Sequence, residues 1–349
     1  MKCVTLLSNA QIEVQEKPIP SFKEDECLVK IAYAGICSSD IPRAFMHKAY
    51  FYPLVMGHEL SGTVVEIGSD VQNFNINDKV TLFPLLPCNT CSQCVLNQYQ
   101  RCSSYQYYGS RCDGGYAEYL AVKKWNLLKL PAAISLKDAA LFEPSAVVVN
   151  ALRKIVFTNK KVLVIGAGFM SRILLDLFKD NPKEVFIADR NVDKLTSMPK
   201  NVQEIHIGDQ ENIDKFLKNY RDYFDVVFEL TGSKEIVPLT IQVAGANSKI
   251  ILVGNVSGDV NIPEKLFSSI LRKELSIKGT WNSTFYHSPS DDWHTVMEHM
   301  KNTFFPSKHV SHYINLEDVP VFLEKIHKRR EFPLSPTYVK GLIKIDYNT

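Results

Sequence analysis

The sequence has no surplus of charge, no long apolar run and no repeat, and each absence removes a class of protein. Lysine plus arginine number 40 against 38 for aspartate plus glutamate, a net charge of +2. That near-balance leaves no electrostatic footprint for nucleic acid or an anionic membrane surface. No stretch approaches the roughly 18 consecutive apolar residues of a membrane span, and Met1 to Ala10 lacks the apolar core of a secretory leader. The expectation is a cytoplasmic protein whose partner is a small molecule, with neither a nucleic-acid nor a membrane partner. With 349 residues, 45% of them hydrophobic, the chain can bury two ordinary cores.

What is present is cysteine in a metal-binding pattern. Cys88-x-x-Cys91-x-x-Cys94 is followed by Cys102, and four thiols at that spacing can wrap tetrahedrally around one Zn2+. An iron-sulfur run has a shorter last gap and a following proline, whereas here seven residues intervene and Ser103 follows. A second set comprises Cys37, His58 and Glu59 of Gly57-His58-Glu59, and Glu143 of Glu143-Pro144. It offers a thiolate, an imidazole and carboxylates but no obvious fourth strong ligand. A closed set holds structure, and an open one leaves a position for water or a substrate oxygen. Taken singly, these residues read as a buried thiol, a core histidine and surface acids. Their joint context favours a site, because Ser39 and Asp40 place a relay hydroxyl and an acceptor for an imidazole N–H just after Cys37. Two zinc ions per chain are expected.

The texture changes near residue 150. Short β-rich pieces run from Met1 to about Leu130: Glu26 to Tyr33, Gly62 to Gly68, Lys79 to Phe83 and Tyr116 to Val122. Beyond Lys160 apolar runs alternate with helical stretches, at Val162 to Ile165, Val185 to Ala188, Val226 to Phe228 and Ile250 to Val253, which predicts a parallel sheet covered on both faces. The first run leads into Gly166-Ala167-Gly168-Phe169-Met170-Ser171 and a helix from Arg172 to Phe178. That is a dinucleotide fingerprint with serine in place of its third glycine. Asp189 ends the next run at the offset of an acid that bonds ribose hydroxyls, favouring NAD over NADP; Arg190 beside it could stack on adenine or pair with a phosphate. A mixed tail from about Trp281 ends in a strand over Gly341 to Ile345. In it, Tyr286 to His299 could line a substrate end, although packing of an amphipathic helix better explains Trp293 and Met297.

Gly57-His58-Glu59-x-x-Gly62-x5-Gly68, the four-cysteine run, Asp113-Gly114-Gly115-Tyr116-Ala117-Glu118-Tyr119 and Glu143-Pro144 resemble, in combination and across nearly the whole chain, the zinc-containing medium-chain alcohol and polyol dehydrogenases. The resemblance implies an α/β plus β architecture. A GroES-like β-rich catalytic domain (1–147, completed by 281–349) would be split around a Rossmann doubly wound parallel-sheet domain (148–280). It implies that Cys37 and His58 ligate a catalytic zinc, that Glu143 or Glu59 completes the set, that Ser39 relays protons and that Asp40 orients His58. Homodimers or homotetramers are implied as well. The implied activity is NAD-dependent oxidation of a secondary alcohol of a polyol or polyol phosphate. Arg43, Lys48 and Arg111, in loops flanking these motifs, are candidate phosphate ligands, with solvated surface charge as the competing reading. The rival substrates are free polyols such as sorbitol, xylitol or a butanediol, or threonine. Outside enzymes the rivals are a non-catalytic dinucleotide-binding scaffold and a zinc-stabilised nucleic-acid binder using His327-Lys328-Arg329-Arg330. The sequence departs from the family at Ser171, and at Asn77-Asp78-Lys79-Val80, where a glycine usually precedes the aspartate.

Overall fold

The eleven-residue strand Glu26–Ile36 is buried along almost its whole length and organises everything around it. In the computed structural model, which describes residues 1–178, 182–329 and 331–346, this strand pairs antiparallel with Glu59–Ile67, Gly341–Lys344 and Tyr119–Lys123. Lys79–Leu82 and Leu127–Lys129 extend the sheet on one side and His312–Asn315 on the other. A smaller sheet joins Lys2–Ser8 to Gln11–Glu16 and Leu54–Val55. The register has a direct consequence for the site. Gly35 lies opposite Glu59 and Ile36 opposite Gly341, so Cys37, His58, Glu59 and Lys340 meet at one end of the sheet from three distant parts of the sequence.

Two compact units are present, Met1–Ala146 with Ser283–Thr349 and Val147–Asn282. In the first, Val29, Ile31, Leu60, Val64, Leu82 and Ile343 form the sheet core. A second packed group is aromatic: Trp293 is fully buried, contacts Phe83, Phe285 and Phe142, and donates its indole N–H to Ser283 Oγ at 2.9 Å. Trp293 therefore serves packing, on the buried side of helix Asp292–Met300. The basic segment is a helix end, Lys328 pairing with Glu324 and Arg329 lying over the Tyr338 ring; Arg330 falls outside the described residues.

The second unit is a six-stranded, wholly parallel sheet. Numbered along the chain its strands are Lys161–Ile165, Glu184–Asp189, Gln203–His206, Phe224–Glu229, Ala244–Leu252 and Ser276–Gly279, arranged third, second, first, fourth, fifth, sixth. The chain direction of strand order reverses between the first and fourth, the point where such sheets bind a dinucleotide. Four strands carry the apolar runs that two covered faces demand. The two edge strands, Gln-Glu-Ile-His and Ser-Ile-Lys-Gly, are mostly exposed and so lack such runs. The helix after the glycine turn runs Phe169–Asp176, starting three residues before the expected Arg172.

Candidate active site

A glycine-built backbone carries His58. Gly57 sits at φ +98, a conformation that side chains rarely adopt, and a Cβ there would strike the Tyr116 ring at 2.3 Å. The segment Gly114 to Tyr116 zips along it: Gly114, Gly115 and Tyr116 donate their amides to the carbonyls of Val55, Gly57 and Met56 at 2.7, 3.0 and 2.9 Å. Asp113 closes the end by accepting from Val55 N at 2.8 Å. The Asp-Gly-Gly-Tyr motif is thus the mould in which His58 is set.

The ligand atoms of Cys37, His58 and Glu59 lie within 4.8 Å of one another. His58 and Glu59 are 4% and 1% exposed, and His58 Nδ1 has no hydrogen-bond partner. A thiol, an imidazole and a carboxylate converging beside an orphaned imidazole nitrogen form a set that a cation satisfies, so the residues fit a zinc ion. Burial, then the charges of Glu59 and Asp40, push the Cys37 thiol up, while Lys340 and the Ser39 hydroxyl pull it down. Ser39 Oγ lies 3.3 Å from Cys37 Sγ.

Asp40, fully buried, is the hub behind this set. Its Oδ2 accepts from Cys37 N at 3.0 Å and from the Tyr116 hydroxyl at 2.7 Å. Its Oδ1 pairs with Arg43 at 2.7 Å and faces His58 Nδ1 at 3.8 Å. Arg43 is therefore spent on Asp40, with only 12% of its side chain exposed. Lys48 is exposed. Arg111 differs from both: its guanidinium carbon lies over the rings of Tyr50 and Tyr105, 4.6 and 4.2 Å from their centres, and it donates to Tyr50 Oη and Tyr105 O.

Two further residues, not singled out in the sequence, complete the site. The Tyr107 hydroxyl donates to Glu143 Oε1 at 3.1 Å, and its ring meets the His58 ring edge-on at 5.6 Å. Burial raises the Glu143 carboxyl to about 8, His58 opposing and Glu59 adding to the rise. Lys340, 4% exposed, contacts both Glu59 oxygens, at 2.7 Å to Oε1 and 2.5 Å to Oε2, and donates to Ile36 O at 3.0 Å. A lysine just ahead of an apolar strand was the only signal, and it is a weak one.

The other thiols gather as the spacing predicts. Cys91 and Cys94 lie 3.5 Å apart, Cys88 and Cys94 3.9 Å, and Cys102 accepts from Cys88 N at 3.3 Å. The Thr90 hydroxyl and amide lower Cys88 to about 7, and the Ser103 and Cys94 amides lower Cys91 to about 5, so two members favour the thiolate that a zinc ion requires. Burial instead raises Cys94 to about 12.

At the glycine turn, Ser171 is buried and its hydroxyl donates to Gly166 O, tying the helix to the turn where the third glycine would stand. Gly166 has φ +108. Asp189 Oδ2 accepts from Ala167 N at 2.6 Å and its Oδ1 from Asn191 N at 2.8 Å; Arg190 is exposed.

The model for the Alcohol dehydrogenase GroES-like domain matches residues 23–132, and the model for Shikimate / quinate 5-dehydrogenase matches 150–264. Galactitol 1-phosphate 5-dehydrogenase of Escherichia coli (strain K12) is 33% identical over 306 residues, covering 85% of this chain and 87% of that one. The chain belongs to the zinc-type medium-chain alcohol dehydrogenases. Within this oxidoreductase family, sorbitol dehydrogenase of Halalkalibacterium halodurans is 29% identical over 278 residues, covering 76% and 79% of the two chains. The crystal structure of galactitol-1-phosphate dehydrogenase from Escherichia coli superposes with a TM-score of 0.87 at 31% identity, covering 99% of this chain and 100% of that one. The GroES-like and Rossmann units are those the family's resemblance implied. Among the described residues no helix is long and apolar enough to cross a membrane.

Proposed function

We propose that this dehydrogenase oxidises a secondary alcohol of a polyol phosphate to a keto-sugar phosphate with NAD, galactitol 1-phosphate to tagatose 6-phosphate being the favoured pair. The observation that carries the phosphate is Arg111. Its guanidinium lies over the Tyr50 and Tyr105 rings and gives one N–H each to Tyr105 O and Tyr50 Oη, and its remaining N–H groups can meet phosphate oxygens. From Tyr105 the wall continues to Tyr107, at 6.2 Å between ring centres, and then to His58. One aromatic surface thus links an anion-binding group to the metal set.

When bound, zinc makes an alcohol proton easier to remove and the nicotinamide accepts the hydride lost from the adjacent carbon. Cys37 and His58, with Glu59 or Glu143, would hold the ion. Ser39, hydrogen-bonded to Cys37, would carry the hydroxyl proton outward, and Asp40 would keep the imidazole aimed. Gly166, Gly168 and the helix behind them would hold the pyrophosphate, and Asp189 the ribose hydroxyls, favouring NAD. A cytoplasmic homodimer or homotetramer accompanies this reading.

A second reading, dehydrogenation of a free polyol, is favoured by the likeness to sorbitol dehydrogenase. NADH formation by zinc-loaded protein on galactitol 1-phosphate, galactitol and sorbitol at equal concentration decides between them. Strong preference for the phosphate, lost in Arg111→Ala, is expected; equal or greater activity on the free polyols would overturn the phosphate assignment.

A further inference from the structure

Lys340 stands one residue from the backbone of each metal-binding segment. Its ammonium donates to Ile36 O, directly before Cys37, and to Glu59, directly after His58. It is nearly sealed from water. Glu59 lies against the bare face of Gly35, where a Cβ would meet its Oε2 at 2.0 Å. The carboxylate therefore lies between the Lys340 ammonium on one side and the Cys37–His58 pair on the other.

A carboxylate has a limited share of negative charge to offer. An ammonium at hydrogen-bond distance weakens the same oxygens as donors to a second cation. From this geometry we propose that Lys340 is a positioning residue that competes with the catalytic metal for Glu59. The competition keeps Glu59 an exchangeable ligand and the metal's substrate position free. The inference rests on the reading of Cys37, His58 and Glu59 as a metal set.

The test is the rate at which a chelator strips the catalytic-site metal from holoenzyme, read with zinc, together with the visible spectrum of cobalt-substituted protein. Lys340→Met is expected to release the ion roughly 10- to 100-fold more slowly, the size of effect found for groups behind metal ligands, and to alter the cobalt bands. In a Glu59→Gln background the same change is expected to do nothing, because the competed group is gone. Lys340→Gln, whose amide can still donate to Glu59, serves if the methionine variant does not fold. Release at or above the wild-type rate in a folded, loaded Lys340 variant overturns the proposal, as does slowing that persists without Glu59. A lysine that merely braced the fold would change thermal stability and leave release and spectrum alone. Wild-type protein that fails to retain a second metal ion beyond the four-cysteine site overturns the metal reading itself, an outcome distinct from the others.

Discussion

Replacing Asp40 by asparagine probes the network that aims His58, and the structure sets the size of the effect. The carboxylate is fully buried and satisfies three donors, Cys37 N, the Tyr116 hydroxyl and the Arg43 guanidinium, at 3.0, 2.7 and 2.7 Å. An amide of the same shape offers one oxygen, so its NH2 must face either Arg43 or the Cys37 and Tyr116 donors. Arg43 has 12% of its side chain exposed and its Nε is already without a partner, so water screens it little and the discount for surface pairs does not apply. Breaking such a pair from one side costs about 3–5 kcal/mol. Urea unfolding of zinc-loaded protein, followed by tryptophan fluorescence, is the assay. Trp125 and Trp293 lie in the unit that holds Asp40, and Trp281 lies in the other. Asp40→Asn should shift the transition of that unit by the stated amount. The double variant with Arg43→Met should lose less than the two singles together, by about 1–3 kcal/mol. A loss under about 0.5 kcal/mol for Asp40→Asn, or strict additivity, would refute the argument that Asp40 and Arg43 act as one buried pair.

Other perturbations read different parts of the site. In metal-free protein Glu143 is raised from 4.5 to about 8, so it contributes stability that is complete below pH 4.5 and is lost as pH climbs through 8. Melting temperature of the apo-protein should fall across that window, and Glu143→Gln should flatten the slope; an unchanged slope would sink the assignment. Tyr107→Phe removes a 3.1 Å hydrogen bond to the same carboxyl and should cost about 1 kcal/mol in apo-protein stability by thermal melting, with no loss of zinc on elemental analysis. Cys91→Ser should reduce bound zinc from two ions to one and lower the melting temperature, yet leave NAD binding by fluorescence titration intact. Asp189→Ala should weaken NAD about tenfold or more, a loss of the order of one charge-assisted hydrogen bond, and shrink any preference over NADP; unchanged affinity would place the ribose elsewhere.

The parts of this molecule legible in its sequence are those whose meaning is local. The four cysteines gather because a short loop can bring thiols of that spacing together whatever surrounds it, and the glycine turn is legible because strand, turn and helix are contiguous. The edge strand Gln203–His206 escaped because an edge need not be apolar. Arg43 and Arg111 are the sharper case. Both are arginines beside site motifs, and nothing local distinguishes them; only the fold shows that Arg43, on the short helix Asp40–Phe45, is held by Asp40 while Arg111 lies over two tyrosine rings. Lys340 is harder still, because it acquires its role from Glu59, 281 residues away in sequence, through the pairing of Gly341 with Ile36 and of Glu59 with Gly35. The ligands of a metal can thus be read from residue type and spacing, whereas the groups that set how tightly they hold it are chosen by strand register. A sequence that keeps the ligands and changes residue 340 would therefore look the same to motif reading and, on the argument above, exchange its metal at a different rate.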